Sequence, residues 1–206
     1  MGSGGTGICR AAQFEQLYRE RDDPYGVSTR WYEQRKINVL MATLPCHRFN
    51  RAYEPGCGNG ELTVRLAPRC GHVLASDLSA SAVDRARVRT AGLQNVEVLQ
   101  QEVPLDWPVS AGCFDLIVLS EISSYLSAAE LHEVAVSASA SLTDDGTLVA
   151  CDWRPPFSGR TLDSDVAHQM LVANGLASVA CHREPDFLLN VWSRAEPSIA
   201  RRERIR

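Results

Sequence analysis

The alternation of apolar and polar positions changes texture near residue 50. Before it, residues 13–21 (QFEQLYRER) and 28–44 (STRWYEQRKINVLMATL) carry helical spacing on either side of the turn-like DDPYG. Ser28 or Thr29 is suited to cap the second helix, and Pro45 to stop it. Beyond residue 50, short apolar runs alternate with amphipathic stretches. NRAYEPG, HVLASDLS and NVEVLQQEV read as strands, with ELTVRLAPRC and SASAVDRARVRTAG as the helices between them, the second closed by Gly92. CFDLIVLSEI is the continuous apolar run expected of a central parallel strand covered on both faces. Ser127-Ala-Ala-Glu130 has capping-box spacing and opens the helix AAELHEVAVSASASL. Thr143-Asp-Asp-Gly146 reads as a turn and TLVACDW as a fifth strand. After the loop RPPFSGRTL, residues 163–174 are again helical, and SVACHRE and DFLLNVWSR read as two strands joined at Pro185-Asp186.

Repeated strand–helix units predict an α/β fold: a doubly wound, Rossmann-like, mostly parallel seven-stranded sheet with an antiparallel C-terminal hairpin. Residues 1–12 read as a flexible leader and 13–194 as a single domain, with lid helices in 13–45. Residues 195–206 have little apolar content and read as a disordered, charged tail. Apolar residues make up 45% of the 206 and charged residues 22%, a balance that fills an ordinary globular core. The formal charge of −4 argues against a general nucleic-acid partner, which needs a basic patch to neutralise phosphates. With no apolar run of bilayer length and no signal-peptide core, the expectation is a cytoplasmic protein without a membrane partner. The seven cysteines are scattered without metal or redox spacing, so they read as reduced packing residues and no metal site is expected. Lys36 is the only lysine, a bias that suggests a GC-rich bacterial genome.

Chemistry concentrates in Glu54-Pro55-Gly56-Cys57-Gly58-Asn59-Gly60, where the first strand should turn into a helix. Glycines there let the backbone approach a ligand closely at the carboxyl end of the strand. The second strand ends in Asp77, 23 residues after Glu54, a position suited to accepting hydrogen bonds from both hydroxyls of a ribose. Asp77 capping the helix near Ser79 is the alternative reading. An acid at the head of the loop would repel a pyrophosphate, whereas it would pair with a cationic amino acid. The nucleoside cofactor with a cationic amino acid end is S-adenosylmethionine.

The pattern E-x-G-x-G-x-G followed by a strand-end acid is similar to the signature of class I S-adenosylmethionine-dependent methyltransferases, and the resemblance covers residues 50–153. It implies S-adenosylmethionine as cofactor and S-adenosylhomocysteine as product. The implied cofactor site comprises Glu54, Gly56, Cys57, Gly58, Gly60, Asp77 and Leu78, with Glu102 and Val103 beside the adenine. Ser120 and Glu121, at the end of the fourth strand, match the position facing the methyl-transfer centre. The family more often has aspartate where this chain has Glu102, which can equally be a surface acid, and Glu121 can equally stabilise a helix N-terminus. Trp31 and Arg35, four apart, share a helix face that would close over the cofactor and bind its carboxylate through Arg35. In the other reading that helix packs on the sheet, with Arg35 paired to a nearby acid.

The segments Asp23-Pro24-Tyr25, Arg30 to Lys36, LSEISSYLS and HREPDFLLNVW look like the NodS-like branch, with a match running from residue 13 to 194. Named members of that branch methylate the free amine of a deacetylated chitooligosaccharide. The resemblance therefore implies a small-molecule acceptor, an amino sugar or related amine, with Glu121 and Asp152 orienting it and Tyr125 adding a hydrogen bond. Asp152 stands where the branch suggests a histidine. Two other readings stay open: an O-methyltransferase acting on a hydroxyl or carboxylate of a secondary metabolite, and a non-catalytic nucleoside-binding protein. Oligomeric state leaves no mark on the sequence.

Overall fold

A computed structural model describes residues 10–108, 114–172, 175–195 and 198–205. The expectations for residues 1–9, for Cys113 at the head of the fourth apolar run, for 173–174 of the 163–174 helix, and for 196, 197 and 206 lie outside the described residues.

Two helices, α1 (Arg10–Glu20) and α2 (Trp31–Thr43), precede the first strand. α1 begins three residues before the helical spacing predicts. Its first residue, Arg10, is tied down by Glu102 and Glu130 at 3.0 and 2.9 Å. Neither Ser28 nor Thr29 caps α2. The cap position is Arg30, without a side-chain cap bond, and the polar work falls to Asp23, whose carboxylate accepts from the N–H groups of Val27 and Ser28 at 2.8 and 2.9 Å. α2 ends before Pro45, as proline requires of the residue preceding it.

The strand–helix alternation then runs β1 (Phe49–Pro55), α3 (Glu61–Leu66), β2 (Cys70–Asp77), α4 (Ala80–Thr90), β3 (Val96–Gln100) and β4 (Phe114–Ser120). It continues with α5 (Ala128–Ser141), β5 (Leu142–Trp153), α6 (Ser164–Leu171), β6 (Ala177–Arg183), β7 (Phe187–Ser193) and a one-turn α7 (Ile199–Arg202) in the tail segment. The expected capping box forms, with Ser127 and Glu130 each bonding the other's backbone N–H. The seven strands lie in the order β3-β2-β1-β4-β5-β7-β6. The first five are mutually parallel, and β7 runs antiparallel to both β5 and β6. This is the doubly wound sheet with a C-terminal hairpin that the pattern predicts.

One turn is absorbed into a strand. Phe114 pairs with Leu142 but Leu116 pairs with Thr147, so β5 advances five residues while β4 advances two. Residues 143–146 bulge within β5 instead of separating it from α5.

The apolar run of β4 has the predicted cause. Ile117 and Leu119 enter the core packed by Leu131, Val134 and Ala138 of α5. Leu116 and Val118 enter the opposite core, with Ile37 and Leu40 of α2 and Leu62 and Leu66 of α3. All four β4 residues are fully buried. Both faces of the sheet are therefore covered, and only the ends of the strands are left to present polar chemistry.

Candidate active site

From β1 the chain proceeds outward through β2 to β3, and from β4 outward the other way through β5. The loops at the carboxyl ends of β1 and β4 therefore part and leave a crevice, the place where open α/β sheets bind ligands. A cavity of about 450 Å3 lies there, within the range of small-molecule sites. Phe14 and Tyr18 of α1 and Glu33 and Lys36 of α2 close over it.

The floor is the glycine loop. Gly56 and Gly58 take φ values of 72° and 55°, a region that only glycine visits freely. Contact reinforces conformation at both positions. A Cβ on Gly56 would lie 2.2 Å from Ile122, and one on Gly58 would lie 2.5 Å from the Tyr18 hydroxyl. Gly60 does not reach the cavity. It precedes α3 at φ 81°, and its missing Cβ would sit 3.1 Å from the Cα of Ala86, so it lets α3 pack against α4. Cys57 is buried in the loop, and burial pushes its thiol well above the ordinary value, as suits a filler and not a nucleophile.

Two carboxyl groups organise this half. Glu54, 2% exposed, accepts from the Thr63 hydroxyl at 2.7 Å, and burial pushes its pKa up to about 8. Asp77 accepts from the N–H of Gly58 and that of Ser79, both at 2.9 Å, and so fastens the glycine loop to the start of α4. The cap of α4 is Ser79, whose hydroxyl accepts from Ala82 N–H at 3.1 Å, which leaves Asp77 a different task. An ionised carboxylate has about four acceptor positions, and the Leu78 backbone also approaches this one, so acceptor capacity is left over for a ligand. Leu78, Glu102, Val103 and Ser120 complete this part of the lining, with Arg10 holding Glu102. A loop without side chains, a carboxylate with spare acceptors and flanking apolar residues match the shape and polarity of a nucleoside.

The other half gathers around Glu121. Its φ of 59° is unusual for a residue with a side chain. The strained backbone is held by its own N–H, donated to the Cys151 carbonyl at 2.8 Å, and by the Trp153 N–H, which reaches Oε2 at 3.0 Å. Lys36 Nζ reaches Oε1 at 2.5 Å, and Glu33 takes the same ammonium at 2.9 Å. Burial works to lower the Lys36 pKa, but the charges of Glu121 and Glu33 outweigh it and hold the ammonium above its ordinary value. Tyr125 also lines the cavity, packed edge-on to Phe14 and tilted against Phe157. Burial raises its phenol, which stays a neutral hydrogen-bonding group.

Three sequence-predicted residues fall elsewhere. Trp31 is 76% exposed, and Arg35 is spent on Glu184, with Nη1 2.8 and 3.0 Å from its two oxygens. They do share a helix face, but that face points away, because 3.6-residue periodicity puts Glu33, Lys36 and Ile37 on the inner side. Asp152 is 0% exposed, off the cavity, accepting from the Ser123 N–H at 3.2 Å and bonded to His168 at 3.0 Å, with Asn190 on the other ring nitrogen at 2.8 Å. Strand alternation sends Trp153 to the cavity and Asp152 into this buried network. Conversely, the sequence reading missed Arg30, Glu33 and Lys36. Arg30 lines the cavity with no side-chain partner among the described residues. The available signals were the chain's single lysine and its i, i+3 spacing from Glu33.

The comparisons with known proteins agree with this geometry. A methyltransferase-domain family profile matches residues 52–146. A crystal structure from Pseudomonas syringae assigned to the methyltransferases is 44% identical, with TM-score 0.71, covering 80% of this chain and 99% of that one. Nodulation protein S of Bradyrhizobium diazoefficiens is 28% identical over 136 residues, which are 62% of this chain and 61% of that protein's own length. The crystal structure of N-methyltransferase NodS from Bradyrhizobium japonicum WM9 in complex with S-adenosylhomocysteine superposes with TM-score 0.78 over 89% of this chain and 97% of that one; at 24% identity it speaks to the fold alone. Among the described residues, no helix is long and apolar enough to cross a membrane.

Proposed function

This chain belongs to the class I S-adenosylmethionine-dependent methyltransferases, and we propose that within that family it methylates the free amine of an amino sugar or a related small molecule. The observation that carries this reading is the acidic pair Glu33 and Glu121 on the same cavity as the glycine loop. Carboxylates there attract an ammonium and accept its proton. The relationship to nodulation protein S supports the same acceptor class.

When bound, S-adenosylmethionine supplies a methyl group made electrophilic by its sulfonium. Asp77 would receive the ribose hydroxyls, the backbone of Gly56 to Gly58 would pass beneath the sulfur-bearing chain, and Leu78, Glu102 and Val103 would flank the adenine. Arg30, on the cavity and without a side-chain partner among the described residues, would take the carboxylate, with Glu54 beside the ammonium. Transfer is an in-line displacement in which charge is dispersed, so the residues' main task is to align the reactants in a dry pocket. An amine flanked by electron-withdrawing groups resembles an α-amino group with a pKa of about 7.7–8.0, so a carboxylate acceptor is enough to free its lone pair. Glu121 is placed to be that acceptor, with Tyr125 as a further hydrogen-bond partner. An unactivated hydroxyl would need a stronger base, and no histidine of the described residues lines the cavity, which weighs against O-transfer.

The test offers amino sugars and chitooligosaccharides, each with its amine free or acetylated, and follows methylation by mass spectrometry. Methylation of free-amine members alone is expected. Methylation of the acetylated members, or of none while S-adenosylhomocysteine still binds, overturns the amine assignment. Glu121→Gln should lower kcat by about 100-fold, the lower end of general-base contributions, with S-adenosylhomocysteine affinity within about twofold.

A further inference from the structure

Lys36 is the only lysine in a chain that otherwise carries its basic charge on arginine. It is 5% exposed and lies on the cavity. Burying an ammonium is costly unless its donors are satisfied by acids, and here Glu33 and Glu121 take it at 2.9 and 2.5 Å, with the Tyr32 ring centroid 5.4 Å away. An arginine fork suits one planar carboxylate, whereas an ammonium is a point charge able to serve two acids from different elements. The partner on α2 is three residues away, and the partner at the end of β4 is 85 residues away in a strained backbone.

We infer that Lys36 is a positioning residue for methyl transfer, holding Glu121 ionised and aimed so that Glu121 can take the proton of the acceptor amine. The inference rests on the reading of Glu121 as the group that meets that amine. The acceptor ammonium gives one proton to the Glu121 carboxylate, and the freed nitrogen lone pair forms the N–C bond as the methyl–sulfur bond breaks. The sulfur keeps that bonding pair, the product amine carries the positive charge, and the Glu121 proton leaves to solvent.

The groups facing Glu121 make Lys36 the deciding charge. Glu33 and Tyr32 approach from α2, Tyr25 from the loop before it, Asp152 and Cys151 from β5, and Tyr125 from the turn after β4. Lys36 is the sole cation among them. Burial pushes the Glu121 carboxyl upward, Lys36 pulls it back, and Asp152 adds to the upward push. The carboxyl stands above its ordinary value even with Lys36 in place, and removing the ammonium would leave burial and Asp152 to push it further upward.

A single lysine makes the test direct. Nitrogen-15-labelled lysine gives one side-chain signal, which should move when Glu121→Gln or Glu33→Gln removes a partner charge. In steady-state assays with glucosamine and free-amine chitooligosaccharides, Lys36→Met should shift the acidic limb of kcat/KM to higher pH by about one unit or more. Turnover below that limb should fall about tenfold, with S-adenosylhomocysteine binding within about twofold, while Lys36→Arg, which keeps the charge but not the two-acid geometry, should hold the limb near its wild-type pH and regain only part of the rate. A uniform fall in rate with an unmoved limb, or a limb displaced equally by Lys36→Met and Lys36→Arg, overturns the positioning role while leaving amine methylation intact. If the wild type methylates none of these amines, the acceptor reading fails separately, and the labelled signal then decides: indifference to Glu121→Gln overturns the coupling, and a shift sustains it. Should Lys36→Met not fold, the Glu33→Gln signal and the Lys36→Arg pH profile answer the same question.

Discussion

The two halves of the cavity are built by different rules. The half we assign to the cofactor is mostly strand ends and the residues that directly follow them, with Glu54 and Gly56 to Gly58 at the end of β1, Asp77 and Leu78 at the end of β2, Glu102 and Val103 after β3, and Arg30 brought in from before α2. The acceptor half is assembled from distant pieces, with Glu33 and Lys36 from α2, Glu121 and Tyr125 after β4 and Phe157 after β5. A ligand that every member of a family must bind can be served by local motifs at the edge of a common sheet. A ligand that distinguishes members is met by whatever the covering helices and long loops bring over that edge.

The comparison can be broken most forcefully at Asp77. Two charge-assisted hydrogen bonds to a ribose, each about 1.5–3 kcal/mol, stand to be lost, so Asp77→Ala should weaken S-adenosylhomocysteine binding by roughly 100-fold or more in calorimetry. A change below about fivefold would mean that the local half does not hold the nucleoside. A smaller effect sharpens the boundary between the halves. Arg30→Ala should cost about tenfold in cofactor affinity, one exposed charge-assisted contact, whereas Arg35→Ala, which leaves Glu184 to His182, should leave affinity within about twofold. The reverse ranking would return the carboxylate to the outer face of α2.

The gentlest probe is pH. Because the pKa of Glu54 stands raised to about 8, binding a cationic amino acid group beside it at neutral pH must release a proton. Affinity should rise with pH, by at most about tenfold between pH 6 and 7, and level off above the raised pKa. Calorimetry in buffers of different ionisation heats would detect the released proton, and its absence would remove Glu54 from the cationic end. The same raised value means that burying Glu54 in the ligand-free protein favours the neutral form. Its contribution to stability is fully present below the ordinary glutamate value of 4.5 and is lost as pH rises through about 8.

The sheet, and the strand ends that bring Glu54, Asp77 and Leu78 to one cavity, were legible because their signals are short-range. An apolar run such as residues 114–119 can only be a strand covered twice, and Asp77 sits next to its own strand. The rotation of α2 was not legible. Spacing shows that positions 31 and 35 share a face and that 33 and 36 share another, but which face turns inward depends on the turn Asp23 organises and on contacts with β4 and β5. Asp152 and Trp153 differ by one step of strand alternation, so a strand-end reading cannot tell a buried acid from a cavity residue without knowing the register. The 143–146 bulge escaped for a related reason: glycine and aspartate mark a change of direction, but only pairing with β4 decides whether it ends the strand.

α1 has Tyr18 as its single buried residue. What fastens it is polar: Arg10 to Glu102 and Glu130 at one end, Glu15 to the Ser79 and Ser81 hydroxyls along its length, and Asp22 to Arg85 just beyond. These ties are partly exposed, apart from the surface pair Asp22–Arg85, and ties near the surface are individually worth only about 0–1 kcal/mol and weaken with salt. The cover of the cavity is thus among the cheapest parts of the molecule to unfold locally, while the sheet beneath opens only with the whole domain. Raised ionic strength is therefore expected to loosen α1 before α2 and the sheet, and to speed the exchange of whatever lies in the cavity.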